Sequence, residues 1–487
     1  MNKLSLIKPF IKTKVFDECL ISSITDDSRD VKRNSLFFAR QGEDFHGLEF
    51  AEQAIENGAS CIISDKNLEE ELEIPFYFFE KLEENITEIL FRFYELNRDN
   101  FIFHGVTGTN GKTTTAFMAH NIIRELKKPS IYIGTLGAII NDSFFKTKGN
   151  TTPGIFEIFE ILKACNSKKE ISVFLEISSH ALAQKRLSNL CFNQTIILNI
   201  QSDHLDYHKT YKNYIDSKLS ITKLNNKNPT IIFIDHMHHL LKSLSLDQKK
   251  QIDASKHLSS MDPSALLKYS FEYNPEEFSK INLNFPNLNS ELNVSLFLQF
   301  NLDNYISALA LISDSISLSD INCIDKSSIK LPDGRGEILR LKEGKILIDF
   351  AHDYKSFKNI LSELSKSYDE IILVFGCGGD RDKSKRSKMM RVAQEYASKL
   401  IFTSDNSRYE SFASICKDAL NGNNPSRAEI IEDRKDALKS ALKYLNKKNI
   451  LVILGKGHEN FMEVQGKKIP FNDKDCVLKI LNNEINK

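Results

Sequence analysis

The clearest chemistry in the chain lies in Gly105-Val-Thr-Gly-Thr-Asn-Gly-Lys-Thr-Thr114. This stretch follows an apolar segment, Phe101 to Phe103, and leads into a run patterned as a helix over Thr113 to Lys127. A strand, a glycine-rich loop and a Gly-Lys-Thr that opens a helix together make a phosphate site. Backbone N–H groups and the helix N-terminus point at the anion, Lys112 reaches the β- and γ-phosphates, and Thr113 offers a hydroxyl to Mg²⁺. ATP or GTP is the expected ligand. The spacing is one residue longer than the usual one, with Gly108 inside the interval between Gly105 and Gly111.

A second group of chemically able residues follows two later apolar runs: Glu176, then Asp203, His204, Asp206 and His208. Hard carboxylate oxygens and imidazoles beside a triphosphate suit Mg²⁺, which a nucleotide enzyme needs to orient the transferring phosphoryl group. The plainer alternative is that they cap helices or pair with Lys209 and Lys212. His236, His238 and His239 read as solvated surface. The basic run Lys383-Ser-Lys-Arg-Ser-Lys388 reads as a solvated helix start.

These residues need a scaffold, and Ile-, Val- and Phe-rich runs alternating with helical patterns point to parallel α/β sheets. Strands are expected at 35–40, 60–64, 131–133, 171–177, 195–199, 230–234, 345–350, 370–375, 399–403 and 449–454, with a helix near 49–57. The stretch 242–290 is polar and pattern-poor. Three domains are expected, over 1–98, 99–330 and 331–487. Functional polar residues cluster after strands in the two later units, where open α/β sheets bind ligands. A cleft between those two rims is the expected active site.

Sixty-five basic residues balance sixty-five acidic ones, so no global field recruits nucleic acid or an anionic membrane. No run approaches membrane-spanning length or resembles a signal peptide. The eight cysteines are scattered with no C-x-x-C pair, as expected of reduced thiols in a cytoplasmic protein.

Taken together the motifs resemble those of the Mur ligases, ATP-dependent amide-bond synthetases of peptidoglycan assembly, and among them the MurE type. Asp27-Ser-Arg29, Gly108-Thr-Asn-Gly-Lys-Thr-Thr114, Gly134-Thr-Leu-Gly137, Gly149-Asn-Thr-Thr-Pro153, Glu176-Ile-Ser-Ser-His180, Asp203-His-Leu-Asp-Tyr-His208, Asp349-Phe-Ala-His352, Phe375-Gly-Cys-Gly-Gly-Asp-Arg-Asp382 and Gly455-Lys-Gly-His-Glu459 carry the resemblance, in order, across nearly the whole chain. The longer loop spacing is the family's own. The resemblance implies an α/β protein of three domains: a smaller N-terminal α/β domain, a central P-loop-type ATP-binding domain with a parallel-rich sheet, and a Rossmann-like C-terminal domain.

It also implies a reaction. ATP phosphorylates the carboxylate of UDP-MurNAc-L-Ala-D-Glu, and the amine of a diamino acid displaces phosphate from the acyl phosphate. Lys112, Glu176, His204 and Lys218 are the implied catalytic residues, with Thr113, Glu176, His204 and Lys218 around Mg²⁺, the last as N6-carboxylysine. ATP is assigned to Gly108, Thr109, Asn110, Gly111, Lys112, Thr113, Thr114, Asn301, Asn304, Arg335, Asp349 and His352. Ser28, Thr151, Thr152, Ser178, Gln184 and Arg186 match contacts to the uridine nucleotide and its peptide. Arg381, Asp405, Asn406, Arg408, Gly455 and Glu459 match contacts to the incoming amino acid.

Which amino acid is added turns on Asp405-Asn-Ser-Arg408. Enzymes of this type that add meso-diaminopimelate usually carry Asp-Asn-Pro-Arg, whose arginine binds the far carboxylate of the side chain. A guanidinium is the best bidentate carboxylate partner and would repel the ammonium of lysine. Meso-diaminopimelate is therefore expected, although Ser407 lacks the stiffness of proline. Two further segments depart from the family pattern: Asp353-Tyr-Lys-Ser-Phe357, and Gly42-Glu-Asp-Phe-His-Gly47. The alternatives are the same ligase adding L-lysine, another Mur-type ligase such as MurF, and a scaffold that only binds nucleotide. A monomer is expected, with no nucleic acid or membrane partner.

Overall fold

A computed structural model describes residues 4–10, 19–69, 71–165, 169–201, 203–225, 230–233, 249–254, 267–272, 279–285, 288–317, 320 and 329–485. The chain divides into two compact units. One holds Met1–Phe271, Ile281–Leu292 and Asn304–Asp325; the other holds Glu272–Lys280, Asn293–Asp303 and Lys326–Lys487.

The first unit contains two sheets. The smaller is parallel, in the order Ser23–Thr25, Ser35–Ala39, Ala59–Ser64, Phe76–Phe78. Its Ser35–Ala39 strand is buried along its length. The two-residue period sends Leu36 and Phe38 into a cluster with Leu82, Ile86 and Leu90 of the helix Leu82–Phe93, while Phe37 and Ala39 pack on the other face with Ala51, Ala54 and Ile62. The larger sheet has eleven strands, with Phe101–Thr107 between Ile171–Glu176 and Gln194–Ile197, all three parallel. The glycine loop leaves the end of this inner strand and enters the helix Lys112–Glu125.

The second unit is built on a six-stranded sheet. Arg335–Arg340 lies antiparallel at one edge, and Lys345–Asp349, Ile450–Leu454, Ile371–Phe375, Lys399–Phe402 and Glu429–Ile430 follow in parallel. Ile450-Leu-Val-Ile-Leu454 is fully buried, with Ile450, Val452 and Leu454 in one layer and Leu451 and Ile453 in the other. Helices cover both faces, which is why these strands read as unbroken apolar runs. Each such side chain contributes roughly 1.5–3 kcal/mol by burial.

The expected strands are present, most with ends shifted by a residue or two. Residue 234 and the histidines 236, 238 and 239 lie outside the described residues. The pattern-poor stretch does hold strands: Lys249–Ala254, Leu267–Glu272, Ser279–Phe285 and Leu288–Val294. In Ser279–Phe285, Ile281 and Leu283 are buried between polar neighbours, the alternation of a strand with one dry face. The first compact unit spans the first expected domain and most of the second. The second begins to collect chain already at Glu272–Lys280 and Asn293–Asp303, before the expected boundary at 330.

Candidate active site

The glycine loop is held from within the first unit. Gly111 precedes the helix with φ +87°, a left-handed conformation that suits glycine, and a Cβ there would lie 2.5 Å from Asn304 Oδ1. Thr109 N donates to Asn199 O, while Asn110 N and Asn199 Nδ2 exchange bonds with Asn199 Oδ1 and Asn110 O. Thr109 Oγ1 is shared by Gln201 and Tyr214. Lys112 Nζ donates to Gly108 O at 2.9 Å and Thr109 O at 3.0 Å, so it lies folded over its own loop. Thr114 is buried, and Thr115, which the sequence reading did not single out, donates to Asn304 Oδ1.

Glu176 ends its strand fully buried, and its carboxylate accepts from neutral donors. Thr113 Oγ1 donates at 2.9 Å, Thr135 N at 3.0 Å, Thr135 Oγ1 at 3.1 Å, and Tyr132 through its phenol. Thr113 and Glu176 are thus brought together. Lys218, on the helix Tyr211–Leu219, is 2 % exposed and donates to the same Gly108 carbonyl as Lys112, at 2.8 Å. Burial, reinforced by the charge of Lys112, holds its amine well below the usual lysine range. His204 has φ +50°, lies 3.4 Å from Asp203, and its ring meets that of His180 at 4.8 Å. Burial also lowers its affinity for a proton. Among the described residues, no three His, Cys, Asp or Glu side chains stand together as a ready metal cage.

The residues expected to meet the uridine substrate form one connected network with a single outlier. Thr152 Oγ1 donates to Glu176 O and accepts from Ser178 N, and Ser178 Oγ caps the helix Ser179–Ala183. Arg186 donates to Gln184 Oε1 at 2.6 Å and Thr152 O at 3.2 Å. Gln184 also reaches Tyr207 and, from the divergent loop 42–47, Glu43. Thr151 accepts from Thr135 Oγ1. The outlier, Ser28, is buried and bonded to Gln53. Lys148 bridges Asp27 and Asp30 on either side of that serine.

In the second unit Arg335 and Asp349 face each other across the antiparallel strand pair. The Arg335 guanidinium stacks 4.3 Å above the Phe350 ring, and the His352 ring lies 4.8 Å from the same ring. Burial pushes the Asp349 carboxyl up to about 6, against the pull of Arg335 and the Ala351 N–H. Asn301 is buried beside Gly336, where a Cβ would lie 2.7 Å from its Nδ2. The divergent 353–357 segment is a well-formed helix start: Asp353 caps Tyr354–Leu364 by accepting from Lys355 N, Ser356 N and Ser356 Oγ, and Phe357 is buried.

Three loops at the ends of adjacent strands carry the residues assigned to the amino acid. Asn406 Nδ2 donates to Glu459 at 2.8 Å, and a Cβ on Gly455 would lie 2.7 Å from Asp405 Oδ2. Arg408 Nη1 donates to Gly379 O at 2.7 Å. Arg381 is exposed. Glu459, expected to suit an ammonium, is already engaged by the buried Lys456 at 2.8 Å.

Several residues of this rim escaped the sequence reading. Arg386, inside the basic run read as solvated, is fully buried and binds Glu410, Asp418 and Gly378 O. Arg434 pairs with Asp473, both fully buried, and donates to Ser404 O and Leu454 O at the roots of two rim loops. Lys456 lies within Gly455-Lys-Gly-His-Glu459, and at the glycine-loop site Tyr132 lies just before Gly134-Thr-Leu-Gly137, so position offered a hint; Arg434 and Asp473 carried none.

The fold and the site define a nucleotide-dependent α/β enzyme with a phosphate loop in one unit and a charged rim in the other. Three family models match in succession: the Mur ligase family catalytic domain over residues 20–85, the Mur ligase middle domain over 106–312, and the Mur ligase glutamate ligase domain over 334–457. The chain is 31% identical over 472 residues to a UDP-N-acetylmuramoyl-L-alanyl-D-glutamate–2,6-diaminopimelate ligase of Clostridium tetani, covering 95% of each chain. It is 34% identical to the enzyme of the same name from Buchnera aphidicola subsp. Baizongia pistaciae, covering 95% of this chain and 94% of that one. A solved structure of a ligase with that name superposes with a TM-score of 0.69 at 26% identity over 99% of both chains. The chain belongs to the Mur ligase family.

Proposed function

We propose that this protein is an ATP-dependent ligase that adds meso-2,6-diaminopimelate to UDP-MurNAc-L-Ala-D-Glu. The γ-phosphoryl group of ATP passes to the substrate carboxylate and ADP leaves. The amine of the diamino acid then attacks the acyl carbon, releasing phosphate and a proton and forming the amide. The uridine nucleotide is received by residues of 1–98 and 99–330, ATP by the glycine loop with Asn301, Asn304, Arg335, Asp349 and His352, and the amino acid by 331–487. We place the enzyme in the cytoplasm as a monomer.

The observation that carries this reading is the buried Glu176 carboxylate beside Thr113 at the mouth of the glycine loop. A buried carboxylate whose donors among the described residues are hydroxyls and an N–H favours a cation brought by a ligand. Thr113 Oγ1 and Glu176, 2.9 Å apart, are hard oxygen donors that fit Mg²⁺, whose other ligands are ordinarily phosphate oxygens and water. The ion, when bound, neutralises charge on the transferring phosphoryl group. Lys218 fits carbamylation: a buried amine with weakened proton affinity is nucleophilic toward CO₂, and N6-carboxylysine, formed with loss of a proton, would turn a buried nitrogen into an oxygen donor. Lys112 supplies positive charge toward the β- and γ-phosphates once it swings from its loop carbonyls.

Diaminopimelate is favoured by Arg408 at the rim and by the names of the relatives described above. The test is product analysis with ATP, Mg²⁺ and UDP-MurNAc-L-Ala-D-Glu. A uridine nucleotide heavier by one diaminopimelate residue is expected. ATP hydrolysis that is indifferent to the dipeptide would refute the ligase.

A further inference from the structure

Arg408 sits in a conformation that its loop does not impose by itself. Its φ is +50°, which a non-glycine residue adopts only when its surroundings hold it there. The surroundings here are the hairpin Phe461–Val464 and Lys467–Pro470. Arg408 N donates to Glu463 O at 2.9 Å, and Gln465 N donates to Arg408 O at 2.7 Å, so the arginine is paired to the hairpin edge as a one-residue strand. Glu463 N donates to Asn406 Oδ1 at 2.8 Å. The Glu463 carboxylate then lies 3.4 Å from Arg408 Nε. One residue therefore grips the loop three times: by its N–H, its carbonyl and its side chain.

We propose that Glu463 is a specificity-determining positioning residue, aiming the Arg408 guanidinium at the far carboxylate of the incoming diamino acid. This rests on the functional reading above. Nε is directed to Glu463 and Nη1 to Gly379 O and Asn406 O, leaving Nη2 with no protein partner among the described residues. A guanidinium so fixed presents one edge to a carboxylate and has little rotamer freedom to lose on binding. Ser407 cannot stiffen the loop through its ring as a proline would, and its N–H donates to nothing among the described residues. The hairpin provides the order that the loop lacks.

Charge and orientation pull in opposite directions, which makes the test decisive in sign. If Glu463 acted only by its charge, Glu463→Gln would remove a repulsive neighbour and tighten binding of a carboxylate. If it aims Arg408, the same isosteric change weakens binding. We expect Glu463→Gln to raise KM for meso-diaminopimelate about tenfold, leave KM for ATP within about twofold and leave the thermal midpoint unchanged. Adding Ser407→Pro to that variant should recover most of the loss, because it restores loop order by another route. An unchanged or lowered KM for diaminopimelate, or an equal rise for ATP, would overturn the assignment. So would a double variant no better than the single one. A wild-type enzyme silent with diaminopimelate would overturn the functional reading and this inference with it; an active wild type whose variant keeps its KM ratio would overturn only the inference.

Discussion

The glycine-loop site and the amino-acid rim treat buried charge in opposite ways. At the first, Glu176 is surrounded by hydroxyls and an N–H, and Lys218 donates to a backbone carbonyl. At the second, ions are matched to ions: Arg434 with Asp473, Arg386 with Glu410 and Asp418, Lys456 with Glu459, and Arg408 with Glu463. A charge buried among neutral dipoles is costly unless something charged arrives. On the proposed reading, the glycine loop is prepared for a triphosphate and its metal. The rim has spent most of its charge on its own geometry, fixing three loops so that a few groups face the ligand.

The largest effect should come from the first site. Lys112→Ala is expected to lower kcat by roughly a thousandfold by removing a positive charge from the phosphates. Near-normal phosphate release by that variant would break the comparison at its stronger end. At the rim, Arg434→Met should destabilise the fold by about 3–5 kcal/mol in urea denaturation, because it strands Asp473 in the core. Arg434→Met with Asp473→Leu should recover most of that stability. A double variant as unstable as the single one would mean that the bonds to Ser404 O and Leu454 O, not the ion pair, carry the load.

Arg408→Ala should raise KM for diaminopimelate by about 10- to 100-fold with little change for ATP. Equal effects on both would make Arg408 a structural residue only. The smallest effect concerns Asp349. Its folded pKa of about 6 lies above the reference 3.8, so its burial costs stability above about pH 6. That cost, no more than about 3 kcal/mol, fades as the folded state takes up its proton and is gone below about pH 4. Asp349→Asn, which keeps an acceptor for Ala351 N, should be more stable than wild type at pH 8 and lose most of that advantage by pH 4.5. A gap independent of pH, followed by thermal melting, would exclude ionisation as the cause.

The glycine loop was legible because anion binding by a helix N-terminus needs contiguous residues. Glu176 was legible as an acid ending a strand. Its holders Tyr132 and Thr135 were not, because they sit about forty residues away and meet it only through the sheet. Strands with two buried faces announced themselves; Ser279–Phe285, with its polar alternation, did not. The hairpin of Gly137–Ile140 and Ser143–Phe145 also went unread, though Asn141 takes the left-handed turn conformation that asparagine tolerates. Arg386 misled outright: a run of basic residues looks solvated until the fold supplies Glu410 from twenty-four residues on.

The most direct test of the proposed ligase is phosphate release with ATP, Mg²⁺ and UDP-MurNAc-L-Ala-D-Glu, comparing meso-diaminopimelate with L-lysine. Release with diaminopimelate and not with lysine is the expected result, since the Arg408 edge needs a carboxylate. Release with lysine alone would leave the glycine-loop site standing and contradict the assignment of the rim.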